Sequence, residues 1–183
     1  MDSTIIREIP PLYHGWAPIG EQAVVPITGN HAKRVLSGVL NIVSGQCLMD
    51  VTRRFRQGEF QSLLRQIRRC WRGWQIVLFL DRHGAHVAPS TRRVANALHI
   101  ELRFLPTACP ELNVMDTLWR KAKAEALANE PTPDVDDSVA AAITFIRDLS
   151  PAQRLRKAGV HSRNFWLADV LAAKVSKNYP GPT

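Results

Sequence analysis

The stretch IVLFLDRHGAHVAPS, residues 76–90, decides how the chain is read. Five apolar residues, Ile76 to Leu80, stop abruptly on Asp81 and are followed by an arginine, two histidines and a glycine. A short apolar run bounded by Gly73 and Gly84 reads as a buried strand. An acid at the carboxyl end of such a strand stands where an open α/β sheet presents a ligand site. Taken alone, Asp81 also suits a turn or a helix cap.

Working outward, the flanking segments alternate. Upstream, GEFQSLLRQIRRCW places Phe60, Leu63, Leu64, Ile67 and Trp71 at helical spacing, with Arg65, Arg68, Arg69 and Arg72 off that stripe. Downstream come a helix from Pro89 or Ser90 to Leu98, a strand over Ile100–Phe104, a helix from Val114 to about Leu127 capped by Asn113, and another over Val135–Leu149. Before residue 60, extended segments are expected at Thr4–Ile9, Ala23–Thr28, Arg34–Val43 and Gln46–Thr52, with a Gly- and Pro-rich loop over residues 10–20. Antiparallel strands, then alternating helices and strands, then helices describe an α/β fold with helices on both faces of a mixed sheet; this is the element order of a ribonuclease-H-like mixed five-stranded sheet, the expected fold, although order alone leaves other mixed α/β topologies open. Residues 1–150 are expected to form that domain, and residues 151–183 a helical extension ending in a frayed KNYPGPT tail.

Composition narrows the function classes. At 183 residues the chain is long enough for an ordinary core without staples. Its apolar content is 45%, but no run approaches the ~20 residues of a membrane-spanning helix, and the N-terminus lacks a signal-peptide pattern. The three scattered cysteines support neither a disulfide framework nor a zinc knuckle, so a cytoplasmic location is expected. A formal charge of +8 and a pI near 10.0 favour a polyanionic partner.

A second acid strengthens the reading of Asp81. In PELNVMDTLWRKAK, Asp116 falls in the first turn of a helix, and Trp119, Arg120 and Lys123 follow at i+3, i+4 and i+7 on one face. A favourable acid at a helix N-terminus or a surface ion-pair ladder gives the same pattern. The five tryptophans, at 16, 71, 74, 119 and 166, read first as core residues.

Taken together, FLDRHGAH and PELNVMDTLWRKAK, with thirty-four residues between Asp81 and Asp116, resemble the mariner superfamily of DDE transposases, particularly its bacterial insertion-sequence branch. GWAPIG at 15–20 and LSGVLNIVSG at 36–45 are similar to the family's Gly-Trp-Ala-Pro loop and its second strand and turn. The match runs over about residues 2–130 and places Asp2 at the first acid. The resemblance implies that Asp2, Asp81 and Asp116 are catalytic and ligate two Mg²⁺ or Mn²⁺ ions, hard cations that prefer carboxylate oxygens. It also implies a double-stranded DNA substrate, transposition, and a homodimer on paired DNA ends, without a small-molecule cofactor or a membrane.

His86, Arg82 and Asn113 are expected to support the acids. Arg53, Arg54, Arg65, Arg68 and Arg69, with Arg120 and Lys123, are expected to track DNA phosphates. Two departures from the family pattern stand out. Arg82 replaces the usual Asn beside the second acid, setting a cation next to a candidate ligand. Asp2 lies beside Met1, which implies a shortened first strand and a DNA-recognition region outside this chain. The alternative function is a catalytically inactive remnant that binds DNA or a partner.

Overall fold

The computed structural model describes residues 1–27 and 29–175. Strands β1 (Asp2–Arg7), β2 (Lys33–Leu40) and β3 (Cys47–Thr52) form an antiparallel meander. Helix α1 (Gln57–Cys70) leads into β4 (Ile76–Leu80), which pairs in parallel with β5 (Ile100–Phe104) through α2 (Gly84–Val87) and α3 (Pro89–Ala97). A 3₁₀ turn over Pro110–Leu112 precedes α4 (Val114–Ala122), followed by α5 (Val135–Asp148), α6 (Pro151–Lys157) and α7 (Ala168–Val175).

The sheet is not one continuous ladder, as the sequence suggested. It divides into a three-stranded and a two-stranded part, and the Met1 nitrogen donating to the Phe79 carbonyl at 2.8 Å joins β1 to β4. The expected strand at Ala23–Thr28 is also absent over residues 23–27, while Thr28 lies outside the described residues. Pro26 cannot donate to a ladder, and Val24 and Ile27 are exposed without a partner strand. The expected helix to Leu127 keeps α-geometry only to Ala122 and widens to a π-turn over Lys123–Leu127. The frayed KNYPGPT tail lies outside the described residues.

Alternation along β2 sorts its side chains onto two cores. Leu36 and Leu40 join Ile6 under α4 and α5, packing on Met115, Leu118, Trp119, Val139 and Ile146. Val39 faces the opposite side, with Phe60, Leu63, Leu64 and Ile67 of α1 and Leu78 and Leu80 of β4. Helices therefore cover both faces. Leu155, Ala158, Val160 and Phe165 complete the first core, so residues beyond 150 pack on the same sheet as α4.

Gly38 shows how closely α4 approaches. A Cβ there would lie 2.5 Å from both Met115 Cε and Trp119 Cζ2. Among the tryptophans, Trp119 is buried in this core as expected, but Trp16 is fully exposed in the loop after β1, because no element covers that loop.

Candidate active site

Three elements bring Asp2, Asp81 and Asp116 to one cleft of about 370 Å³. Asp2 is opposite Gly38 in the β1–β2 ladder, and directly paired residues project to the same face. That face is the one α4 covers, so Asp2 lies under the helix whose first turn carries Asp116. Asp81 follows the last residue of β4, the strand beside β1.

Asn113 ties two of these elements together. Its Oδ1 accepts the Met115 N–H at 3.2 Å, capping α4 as the sequence predicted, while its buried Nδ2 donates to the Met1 carbonyl at 3.2 Å. One side chain therefore sets the start of α4, and with it Asp116, against the strand that carries Asp2. Trp166 buttresses the preceding turn by donating from Nε1 to the Leu112 carbonyl at 3.1 Å.

Asp81 is held differently. His86 Nδ1 lies 2.7 Å from its carboxylate, and the His83 N–H donates to the same oxygen at 3.2 Å. The His86 hydrogen bond, ahead of the other contributions, holds the Asp81 carboxyl below its ordinary range. His86 is buried against Phe55 and Phe60, and its Nε2 has no hydrogen-bond partner. Only the Nδ1 edge is engaged in polar contact, and it faces Asp81.

Asp2 shows the opposite shift. Burial, reinforced by the nearby Asp116 and Asp81 carboxylates, pushes its pKa up to about 6, while the adjacent terminal amine and a hydrogen bond from the backbone oppose it. Lys123, half-buried beside Asp116 and Asp2, is held below the ordinary lysine range by burial. The cleft therefore concentrates negative potential that a cation would relieve. Its donors are carboxylate oxygens, the chemistry Mg²⁺ and Mn²⁺ prefer, so the residues fit such an ion. Among the described residues, no three His, Cys, Asp or Glu side chains are gathered closely enough to enclose a metal unaided.

Other sequence expectations separate in space. Arg120 folds back onto Asp116, 3.2 Å away in an i, i+4 pair, as the ion-pair alternative anticipated. Arg68 is turned from a solvent-facing track to a structural position: its guanidinium donates to the carbonyls of Trp71, Trp74, Leu98 and His99. The reason is the meeting of two turns: α1 ends at Cys70, and the turns before β4 and β5 bring these carbonyls within its reach. Arg53, Arg54, Arg65 and Arg69 are exposed, as a phosphate track requires. Glu111 is exposed in the 3₁₀ turn and does not line the cleft. Sequence reasoning missed Phe104, whose place beside Arg82 follows from the parallel register Leu80↔Phe104. It also missed Trp166, for which the sequence carries no spacing signal.

A two-faced α/β sheet with an acidic cleft where β1, β4 and α4 meet defines a ribonuclease-H-like domain. The chain belongs to the DDE superfamily endonucleases, whose family pattern matches residues 1–138. The uncharacterized protein y4pE/y4sA of Sinorhizobium fredii is 39% identical over 67 residues, which are 37% of this chain and 47% of that protein. The mariner Mos1 paired-end complex with Mg superposes with a TM-score of 0.69 at 16% identity, over 93% of this chain and 53% of that one. The catalytic domain of Mos1 mariner transposase gives a TM-score of 0.60 at 14% identity, over 80% and 76%. At these identities the structural likeness concerns the fold. The chain spans about half the length of the curated relative and of the Mos1 chain in that complex. Among the described residues, no helix is long and apolar enough to cross a membrane.

Proposed function

We propose that residues 1–150 form the catalytic domain of a transposase that cuts and joins double-stranded DNA with Mg²⁺ or Mn²⁺, followed by an extension that is helical over Pro151–Lys157 and Ala168–Val175. One observation carries this reading: Asp2, Asp81 and Asp116, from separate elements, line a single cleft in a DDE endonuclease domain. Asp2, Asp81 and Asp116 would ligate two divalent ions. When bound, such a pair stabilises the attacking and leaving oxygens of a phosphodiester displacement.

The chain's own residues prepare that chemistry. His86 orients the Asp81 carboxylate through a 2.7 Å contact, and Asn113 sets Asp116 relative to Asp2. Lys123 balances part of the negative charge beside Asp2 and Asp116. The exposed Arg53, Arg54, Arg65 and Arg69 are candidates for holding the DNA backbone. The solved Mos1 relative is a paired-end complex with Mg, which supports a divalent ion and a homodimer acting on two DNA ends.

The test is Mn²⁺ binding by calorimetry and by anomalous diffraction from soaked crystals. Manganese among the three acids, lost in Asp81→Asn, together with Mn²⁺-dependent nicking of duplex DNA, is the expected result. Salt-dependent DNA affinity indifferent to Mn²⁺ and to Asp81→Asn would instead establish a non-catalytic DNA-binding remnant.

A further inference from the structure

Arg82 follows the candidate ligand Asp81, and its placement relative to Asp81 and Phe104 gives it a use. Asp81 is engaged by His86 and by the His83 N–H, so Arg82 is not its partner. The Arg82 guanidinium carbon instead stands 5.7 Å from the centre of the Phe104 ring. Arg92, from α3, stands at the same distance from that ring.

The register explains this convergence. Leu80 is opposite Phe104 in the parallel ladder, and the Leu105 N–H donates to the Leu80 carbonyl at 2.8 Å. Chain leaving β4 through Asp81 therefore emerges beside the ring that ends β5. Helix α3, later in the same β4–β5 connection, brings Arg92 back to that ring.

Both arginines are exposed, and neither forms an ion pair with a carboxylate among the described residues. Two like charges drawn to one ring are no further apart than twice their common distance from its centre. The ring face attracts each cation. Both cations are free to take an anion, and a guanidinium fork matches phosphate oxygens well. Arg82 also lines the acid cleft. A phosphate held there would lie at the rim of the carboxylates, whose own charge repels DNA.

We propose that Arg82 and Arg92, ordered by Phe104, form a clamp for backbone phosphate of duplex DNA at the mouth of the acid cleft. The inference rests on the proposed DNA-cutting role. It assigns phosphate contacts to Arg92 and to the Arg82–Phe104 stack, beyond the acids and the α1 track.

Fluorescence anisotropy with the full chain, labelled duplex oligonucleotides of unrelated sequence and EDTA separates this site from metal chemistry. Arg82→Ala and Arg92→Ala should weaken binding equally on every sequence, and each should reduce the slope of log affinity against log salt by about one. Arg92→Lys should recover the slope but only part of the affinity, since it restores charge without the fork. Phe104→Leu should keep the slope while lowering affinity a fewfold. Circular dichroism should show the exposed arginine variants folded, so they carry the test if Phe104→Leu misfolds. Wild-type slope and affinity in both alanine variants would overturn the clamp and leave the DNA-cutting role standing. Equal losses on single-stranded RNA would overturn its assignment to duplex DNA. A wild-type chain without DNA affinity at low salt would overturn both.

Discussion

Replacing Asp2 by Asn should make the metal-free protein more stable at neutral and alkaline pH. Burial and the neighbouring carboxylates raise the Asp2 pKa from 3.8 to about 6 in the folded chain. A raised carboxyl pKa means that the folded state keeps a proton the unfolded state has released. The favourable contribution is complete below the unfolded pKa and is lost as pH rises through the folded one. Above that window the folded chain carries the full cost of a charged, partly buried Asp2. At 1.36 kcal/mol per unit the cost is at most roughly 3 kcal/mol. Asn has nearly the same shape and no charge, so it removes the cost. For a chain of this size the melting temperature should rise by about 4–10 °C near pH 8 and hardly change near pH 4. Scanning calorimetry in EDTA at the two pH values measures both. Equal gains at both would show that packing rather than charge is responsible, and no gain near pH 8 would refute the buried-charge argument.

Three further expectations concern the supports of the site. Arg68→Ala removes donors from four backbone carbonyls and should cost roughly 2–4 kcal/mol in urea unfolding, with the salt dependence of DNA binding unchanged; a lower salt slope would return Arg68 to the phosphate track. Gly38→Ala forces a methyl into the space of Met115 and Trp119 and should cost about 1–3 kcal/mol, read by tryptophan fluorescence during unfolding. Asn113→Ser keeps a capping oxygen but loses the amide donor to the Met1 carbonyl without adding charge, so Mn²⁺ affinity should fall severalfold with a smaller change in stability; unchanged affinity would remove Asn113 from the positioning of Asp116.

The local parts of this protein were legible in the sequence. The apolar run ending on Asp81 is β4, the stripe from Phe60 to Ile67 is the buried face of α1, and Asn113 caps α4. These follow from period, chain-end polarity and capping chemistry, which act over a few residues. Errors fell where local character was ambiguous. Ala23–Ile27 has strand-like composition but no partner, and Lys123–Leu127 continues a helix in a wider winding.

Other features depend on contacts between residues distant in sequence. Asp2 meets Asp116 because β1 pairs with β2 at Gly38 and α4 packs into the space that glycine leaves. Arg68 faces inward because carbonyls thirty residues away converge on it, and Arg82 meets Arg92 because one ladder places Phe104 beside both. The sequence by itself determined most of the strands and helices and drew attention to Asp81 and Asp116, since burial period and chain-end chemistry are encoded locally, while Asp2 was singled out by the family resemblance. Tertiary structure alone decided which charges meet, because charge placement depends on strand register and helix packing, and a one-residue slip along a strand turns every side chain to the other face.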